Sequence, residues 1–322
     1  MATITDVSKL ANVSKATVSR VLSGTRGVRE ESRLAVLKAV DELNYRPNVA
    51  AQNLAKQATN YIGVILPSVE ATNVATYLPL LAKGLKSLNK FMLVHYATDI
   101  EDQRRVIDEL QEQCEAIIVM GAHTTGPTLP NVVHFDSIQV EGDTVSGYNY
   151  AFATESACRY VLGKGHRQIA LLIDEAKEMA SEQMLEGYRN ALQNLSIPFN
   201  RQLVVEAKND VEQGLLTLIN SFTKYTALVV KRDSHAAEAM RLMREFNIAV
   251  PQEVSIISLE DSPLAALLYP PLTCISYPTE QLVDDCIDRV RCVISDKPQV
   301  NDRPTAIAGR LITRGSVANI TA

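Results

Sequence analysis

Thr3-Ile4-Thr5-Asp6-Val7-Ser8-Lys9-Leu10-Ala11-Asn12-Val13-Ser14-Lys15-Ala16-Thr17-Val18-Ser19-Arg20-Val21-Leu22 reads as two short helices joined by a tight turn. Ile4, Val7, Leu10 and Ala11 give the first helix one apolar stripe, and Val18, Val21 and Leu22 do the same for the second. Thr3 followed by Asp6 has the spacing of a capping box, and Ser14 stands where the second helix needs an N-cap. Asn12 occupies the turn, where its side chain tolerates a left-handed backbone. The second helix then exposes Lys15, Ala16, Thr17, Ser19 and Arg20. Small donors plus cations are the set that enters a DNA major groove.

Downstream, Arg33 to Leu43 carries apolar residues at Leu34, Val36, Leu37, Val40 and Leu43, which predicts a third helix. It ends at Tyr45-Arg46-Pro47, since proline disfavours helix in the residue before it. Asn48-Val49-Ala50-Ala51-Gln52-Asn53-Leu54-Ala55 follows, too short to be a stable helix alone, as isolated helices are marginal below about 12 residues. Charge divides the chain at the same place. Residues 1–60 hold nine Lys or Arg against five Asp or Glu, a net of +4; the totals of 32 and 37 leave −9 for the remainder. A polyanion-binding surface is therefore expected at the N-terminal end, with affinity that falls steeply with salt.

From Asn60 onward, short apolar strands alternate with amphipathic helices. Strands are expected at 61–66, 91–96, 116–120, 132–135, 169–173, 203–206, 227–230 and 254–258. Helices are expected near 77–89, 101–112, 151–163, 181–194, 234–246 and 280–294. Such alternation argues for parallel, doubly wound sheets, with ligands beyond the carboxyl ends of the strands. The length of 322 residues suits a small DNA-binding module and a body of two subdomains. Cys114, Cys158, Cys274, Cys286 and Cys292 lack metal-type spacing and read as buried thiols in a reducing compartment. No signal-type segment precedes the helix pair, and no apolar run reaches the roughly 18 residues of a membrane span. A cytoplasmic protein is expected, needing no cofactor or metal. No nucleophile–base, metal-ligand or phosphate-loop constellation points to an enzyme. His166 reads as a turn residue between helix and strand, not as a catalytic base.

The run I-T-D-V-x-x-x-A-x-V-S-x-A-T-V-S-R-V-L closely resembles the headpiece of the LacI/GalR family of bacterial transcription regulators. The body is similar to that family's core at Gly165-His166-Arg167-Gln168-Ile169-Ala170, at Val250-Pro251-Gln252-Glu253-Val254-Ser255-Ile256-Ile257 and at Leu311-Ile312-Thr313-Arg314-Gly315-Ser316. The resemblance implies an all-α helix-turn-helix headpiece, residues 1–46, and a hinge helix and linker, 47–59. It also implies an α/β periplasmic-binding-protein-like core, 60–322, of two doubly wound parallel-sheet subdomains. One subdomain is expected at about 60–160 and 278–305, the other at about 161–277 and 306–322. It further implies a homodimer on a pseudo-palindromic operator, gated by a small molecule that is a sugar or sugar acid, with no membrane. With six residues after Ser316 and no heptad pattern among them, a dimer is expected in preference to a tetramer.

DNA contacts are implied for Thr5, Ser14, Lys15, Ala16, Thr17, Ser19, Arg20, Arg26, Tyr45, Asn48 and Lys56. Leu54 is implied to be a wedge that prises a minor-groove base step apart. For the effector site, the resemblance implies Asn73, Asp136, Asn149, Met184, Arg232, Asp233 and Glu260, and here the chain departs from the family pattern. Ser137 replaces an arginine after Asp136, and Tyr148 replaces the aspartate of an Asp-Asn pair ending at Asn149. Met184 replaces the arginine that precedes Gly187-Tyr188, and Lys231-Arg232-Asp233 stands where Asn-Asp is usual. Ser258-Leu259-Glu260-Asp261 lengthens an acid by one methylene. Losing an arginine and an amide removes partners that vicinal hydroxyls need. Arg232 either faces the cleft, where it suits a carboxylate or phosphate, or is a solvated helix-start residue. Leu93-Val94-His95-Tyr96 and Val132-Val133-His134-Phe135-Asp136-Ser137 resemble the gluconate-repressor branch. A regulator with a degenerate pocket, independent of ligand or controlled by a protein partner, is the alternative.

Overall fold

The computed structural model describes residues 2–22, 27–45, 59–66, 74–97, 99–120, 129–135, 147–176, 178–207, 210–295 and 306–321. The chain divides into two compact units, Met1–Asn60 and Tyr61–Ala322.

The first unit contains α1 (Ile4–Leu10), α2 (Lys15–Leu22) and α3 (Glu30–Glu42). Val7, Val18, Val21, Val36 and Ala39 close on one another with Ala11 as a small shared core. The local signals do what their spacing predicts. The Asp6 carboxylate accepts the Thr3 backbone N–H at 2.9 Å and the Thr3 hydroxyl at 2.8 Å. Ser14 Oγ accepts the Thr17 N–H at 3.1 Å, and Asn12 turns the chain at φ 50°. The apolar pattern overreaches at three leucines, because Leu10, Leu34 and Leu37 are exposed. Leu37 and Leu34 lie roughly 100° and 160° around the helix from Val36 at about 100° per residue, and three short helices have one face each to bury.

The second unit holds two main parallel sheets among the described residues. The first, in the order β2-β1-β3-β4, comprises β1 (Tyr61–Leu66), β2 (Phe91–Tyr96), β3 (Ala116–Met120) and β4 (Val132–Phe135). Helices α4 (Val74–Ser87) and α5 (Ile100–Gln111) connect its strands. The chain then passes through β5 (Gly147–Tyr148) into α6 (Tyr150–Gly163), β6 (Ile169–Ile173), α7 (Met179–Gln193), β7 (Val204–Glu206) and α8 (Val211–Ile219). It continues as β8 (Ala227–Val230), α9 (Asp233–Glu245), β9 (Ser255–Ser258), α10 (Pro263–Leu267) and β10 (Thr273–Ser276). The last elements are α11 (Thr279–Ile294), β11 (Ala306–Ile307) and β12 (Arg310–Ile312). The second sheet runs β12-β10-β9-β8-β6-β7, parallel except for β12, and β11 pairs with β5.

Strands β1, β3, β4, β6 and β8 are buried almost end to end, as sheets covered on both faces require. Helices α8 and α10 and strands β5 and β10–β12 are additions to the alternation expected from sequence. The strands among them are two to four residues long, too short for periodicity to mark. Helix α11 returns to the first sheet, where Leu282, Val283, Cys286 and Ile287 join its core. Helix α6 packs with α7 on the second sheet through Ala153, Ala157, Cys158 and Val161. The first crossover between subdomains therefore lies near Asn149, not near residue 160. Gly187 explains how close α6 and α7 approach: a Cβ there would collide with the Ala151 carbonyl oxygen. His166 is buried, with Nδ1 2.9 Å from Thr226 Oγ1 and Nε2 3.1 Å from the Ala318 carbonyl, so it ties the C-terminal segment to the second sheet.

Candidate functional site

In the first unit, α2 is amphipathic in the sense that matters. Val18 and Val21 face the core, while Lys15, Ala16, Ser19 and Arg20 are exposed on the opposite side and Thr17 is half-buried. Ser14 is spent on the helix start, where its hydroxyl also meets Thr17 Oγ1 at 2.9 Å. Thr5 is half-buried on α1 and its carbonyl accepts the Ser8 hydroxyl. Tyr45 packs against the small core. Arg26, Asn48, Leu54 and Lys56 lie outside the described residues, as do Asn73 and Asp136 of the effector set.

In the second unit, a cleft opens beyond the carboxyl ends of the strands, the place that doubly wound sheets reserve for ligands. Thr76 and Tyr77 line it from α4; Tyr148, Tyr150, Tyr277 and Thr279 line it from the crossovers. Lys231 and Arg232 follow β8, and Leu259, Glu260 and Asp261 follow β9. The aromatic wall is ordered by its own contacts. Tyr148 stacks on Tyr277 with ring centroids 4.0 Å apart, and Tyr150 stands edge-on to both at 6.3 Å. Tyr77 donates its hydroxyl to Tyr148 at 2.9 Å. The cleft encloses about 50 Å³, space for a few waters at about 10–15 Å³ each.

Lys231 and Arg232, which line the cleft, pair with acids beside it. Asp174, directly after β6, accepts Lys231 Nζ at 2.7 Å and Arg232 Nη2 at 3.2 Å. Glu178 lies 3.5 Å from Lys231. Burial pushes the Asp174 carboxyl up, but Lys231, Arg232 and His235 outweigh it and hold the group below its usual range. Asp261 pairs with Arg314 at 2.7 Å.

Several sequence expectations are redirected here. Met184 is fully buried in the second-sheet core, where an apolar side chain belongs and from which it does not line the cleft. Asn149 caps α6, accepting the Phe152 N–H at 2.9 Å. Asp233 is buried and turned inward: its carboxylate accepts the Ser258 hydroxyl and the Ser262 N–H, the latter at 2.6 Å. Burial raises its pKa, an effect that the Ser258 bond opposes. Glu260 does line the cleft, yet its extra methylene lets it accept the Asp233 N–H at 2.8 Å and cap α9. Arg232 faces the cleft and is about one-third exposed, 38 % of the side chain. Sequence reasoning missed the Tyr77, Tyr150 and Tyr277 wall and the Lys231–Asp174 pair. A carboxylate immediately after an all-apolar strand was the available signal for Asp174; the tyrosines come from three distant segments and gave none.

Residues 3–48 match the family described as bacterial regulatory proteins, lacI family, and residues 158–317 match the periplasmic binding protein-like domain. The chain is 31 % identical over 335 residues to catabolite control protein A of Streptococcus mutans, covering 98 % of this chain and 97 % of that protein. The chain belongs to the LacI family. It is 28 % identical over 334 residues to the transcriptional regulator AscG of Escherichia coli K12, covering 98 % of each. In structure it is similar to the lac repressor dimer bound to operator and the anti-inducer ONPF. The TM-score is 0.83 at 22 % identity, over 98 % of this chain and 99 % of that one. This LacI-family chain is thus a DNA-binding transcriptional regulator with a helix-turn-helix headpiece and a periplasmic-binding-protein-like core, and its relatives are regulators, not enzymes. No helix among the described residues is long and apolar enough to cross a membrane.

Proposed function

We propose that the chain is a cytoplasmic repressor of carbohydrate or sugar-acid genes. It reads a pseudo-palindromic operator as a homodimer and is switched by a small metabolite in the cleft of the second unit. The observation that carries the switch is the cleft itself: a ring-stacking tyrosine wall from the crossovers facing charged groups beyond strands β8 and β9. A ligand that binds there better in one arrangement of the two sheets shifts the population of that arrangement. Segment 47–59 then relays the shift to the headpiece of residues 1–46, and Leu54 is the wedge. Relatives support the class, among them a ribose operon repressor and the structure of a regulator, CelR, in complex with cellobiose.

Dimerisation is supported by apolar surface on both subdomains. Strand β2 is a sheet edge carrying exposed Phe91, Val94 and Tyr96, and Leu267 and Tyr269 are largely exposed at the end of α10 and just beyond it. Such surface on an edge strand is a pairing site unless covered.

One feature favours a second reading. Met184, Asn149 and Asp233 are all committed to the scaffold, and the cleft is small. A regulator with a self-filled pocket would answer to a protein partner or to nothing. Thermal denaturation of the full chain against sugars, sugar acids, sugar phosphates and purines separates the two. A ligand at a hundredfold excess over its Kd stabilises by about 2.7 kcal/mol. A shift with one compound class supports the metabolite switch; a flat response across the panel overturns it.

A further inference from the structure

Resting on the reading of the cleft as an effector site, we infer that the effector carries a carboxylate or phosphate that seats on Arg232, with its carbon skeleton against the Tyr148–Tyr277 pair. The argument is an inventory of donors and acceptors. A neutral polyol is held largely by carboxylates and amides that accept from its hydroxyls. In and beside this cleft the acids already accept protein donors. Glu260 accepts the Asp233 N–H, Asp261 accepts Arg314 at 2.7 Å and the Cys274 thiol at 3.3 Å, and Asp174 accepts Lys231 and Arg232. Asn149, the amide expected to read hydroxyls, is turned to the α6 N–H instead.

Donors remain. Among the described residues the Arg232 guanidinium gives one bond, from Nη2 to Asp174 at 3.2 Å, and a guanidinium has five N–H groups in a planar fork. Its side chain is 38 % exposed at the cleft wall, whereas that of Lys231 is only 13 % exposed and is held by two acids. Thr76 adds a hydroxyl to the cleft lining. A cleft whose acids each already accept a protein donor, and whose arginine has N–H groups left to give, fits an acceptor-rich, anionic ligand. Planar, bidentate pairing of the guanidinium with a carboxylate or phosphate is the geometry that would fix it. Glu260 occupies the N-terminus of α9 with its own carboxylate, so the anion goes to Arg232 and not to the helix end.

The test is titration calorimetry of the full chain with four probes that share a hydroxyl framework: D-glucose, D-gluconate, D-glucuronate and D-glucose 6-phosphate. At least one anion should bind at least about tenfold more tightly than glucose, the carboxylate and phosphate arms telling which group is read. Arg232→Gln should remove that preference, and Arg232→Lys, which keeps the charge and loses the fork, should retain part of it. Asp174→Asn should tighten the anion by several-fold and leave glucose unchanged, a sign that a purely structural role for the cluster does not produce. Glucose binding as well as the anions, or an anion preference indifferent to both Arg232 variants, overturns the inference and leaves the metabolite switch standing. If neither these probes nor the wider thermal panel binds, both fall.

Discussion

Arg20 sits on the outward face of α2 with Ala16 and Ser19, away from Val18 and Val21. A cation at that position reads bases if it reaches the groove floor and only anchors phosphates if it does not. Arg20→Ala should therefore lower affinity for the preferred operator by about 1–3 kcal/mol and relax base preference. Competition binding against operators varied one base pair at a time measures this; equal weakening on every sequence would make Arg20 a phosphate contact.

His235 is the other residue whose role is decided locally. Burial depresses its pKa from 6.5 to about 4, against the pull of Asp174, and among the described residues its Nδ1 has no hydrogen-bond partner. A base whose folded pKa lies below its unfolded value binds more protons when unfolded. The stability it leaves intact above about pH 6.5 is therefore lost as pH falls toward 4. His235→Gln should remove about 2 kcal/mol of that acid sensitivity between pH 7 and pH 4.5, at about 1.4 kcal/mol per pK unit. Urea denaturation at pH 7 and pH 4.5 reads the difference. Asp174, held below its usual range, loses its pairing only at lower pH and does not mask the effect.

At the scale of elements, helix ends and helix contacts carry the site. Helix α9 begins at the cleft wall, and its first N–H is taken by Glu260 while Asp233 returns a carboxylate to Ser258 and Ser262. Loop and helix thus hold each other in place. Glu260→Ala should cost about 0.5–2 kcal/mol, the ordinary worth of a lost cap, and loosen the wall beside Arg232. Helix α7 shows a constraint of a different kind. Gly187→Ala would drive a methyl into the Ala151 carbonyl, so α6 and α7 must separate. About 3 kcal/mol of destabilisation is expected from such overpacking, seen as a lower Tm with native-like circular dichroism.

Much of this scale was legible beforehand. The capping spacing at Thr3 and Asp6, the turn at Asn12 and the strands at 91–96, 116–120 and 169–173 fall where periodicity and short-range chemistry put them. Leu34 and Leu37 mislead because α3 offers more apolar residues than the three-helix unit has core to cover. Strand β12 is invisible because three residues at a sheet edge carry no period.

For the whole molecule, the +4 of residues 1–60 against −9 elsewhere concentrates DNA affinity in the first unit. Operator binding should fall linearly on a log–log plot against salt, and the slope should report the number of phosphates neutralised. A salt-independent affinity would remove the electrostatic basis of the reading. The dimer is tested at the same scale. Phe91→Glu places a charge on the exposed edge strand β2 and should convert the dimer to monomer in sedimentation, with operator affinity falling at least tenfold as two-fold symmetry is lost. An unchanged dimer would exclude this edge from the interface.

By itself the sequence determined what local rules govern: the helix pair with its caps and turn, the alternation of apolar strands and helices, the charge division and the family. These depend on neighbours a few residues apart, whose geometry is set by backbone sterics and period. The tertiary structure decided the site. Asp174, Tyr77, Tyr148, Tyr277, Lys231 and Glu260 come from separate crossovers and strand ends, and no spacing along the chain encodes which donors are satisfied once they meet. Only the fold could show that Met184 and Asp233 serve the scaffold while Arg232 faces the cleft. Burial and hydrogen-bond pairing are properties of the assembled neighbourhood, not of the residue.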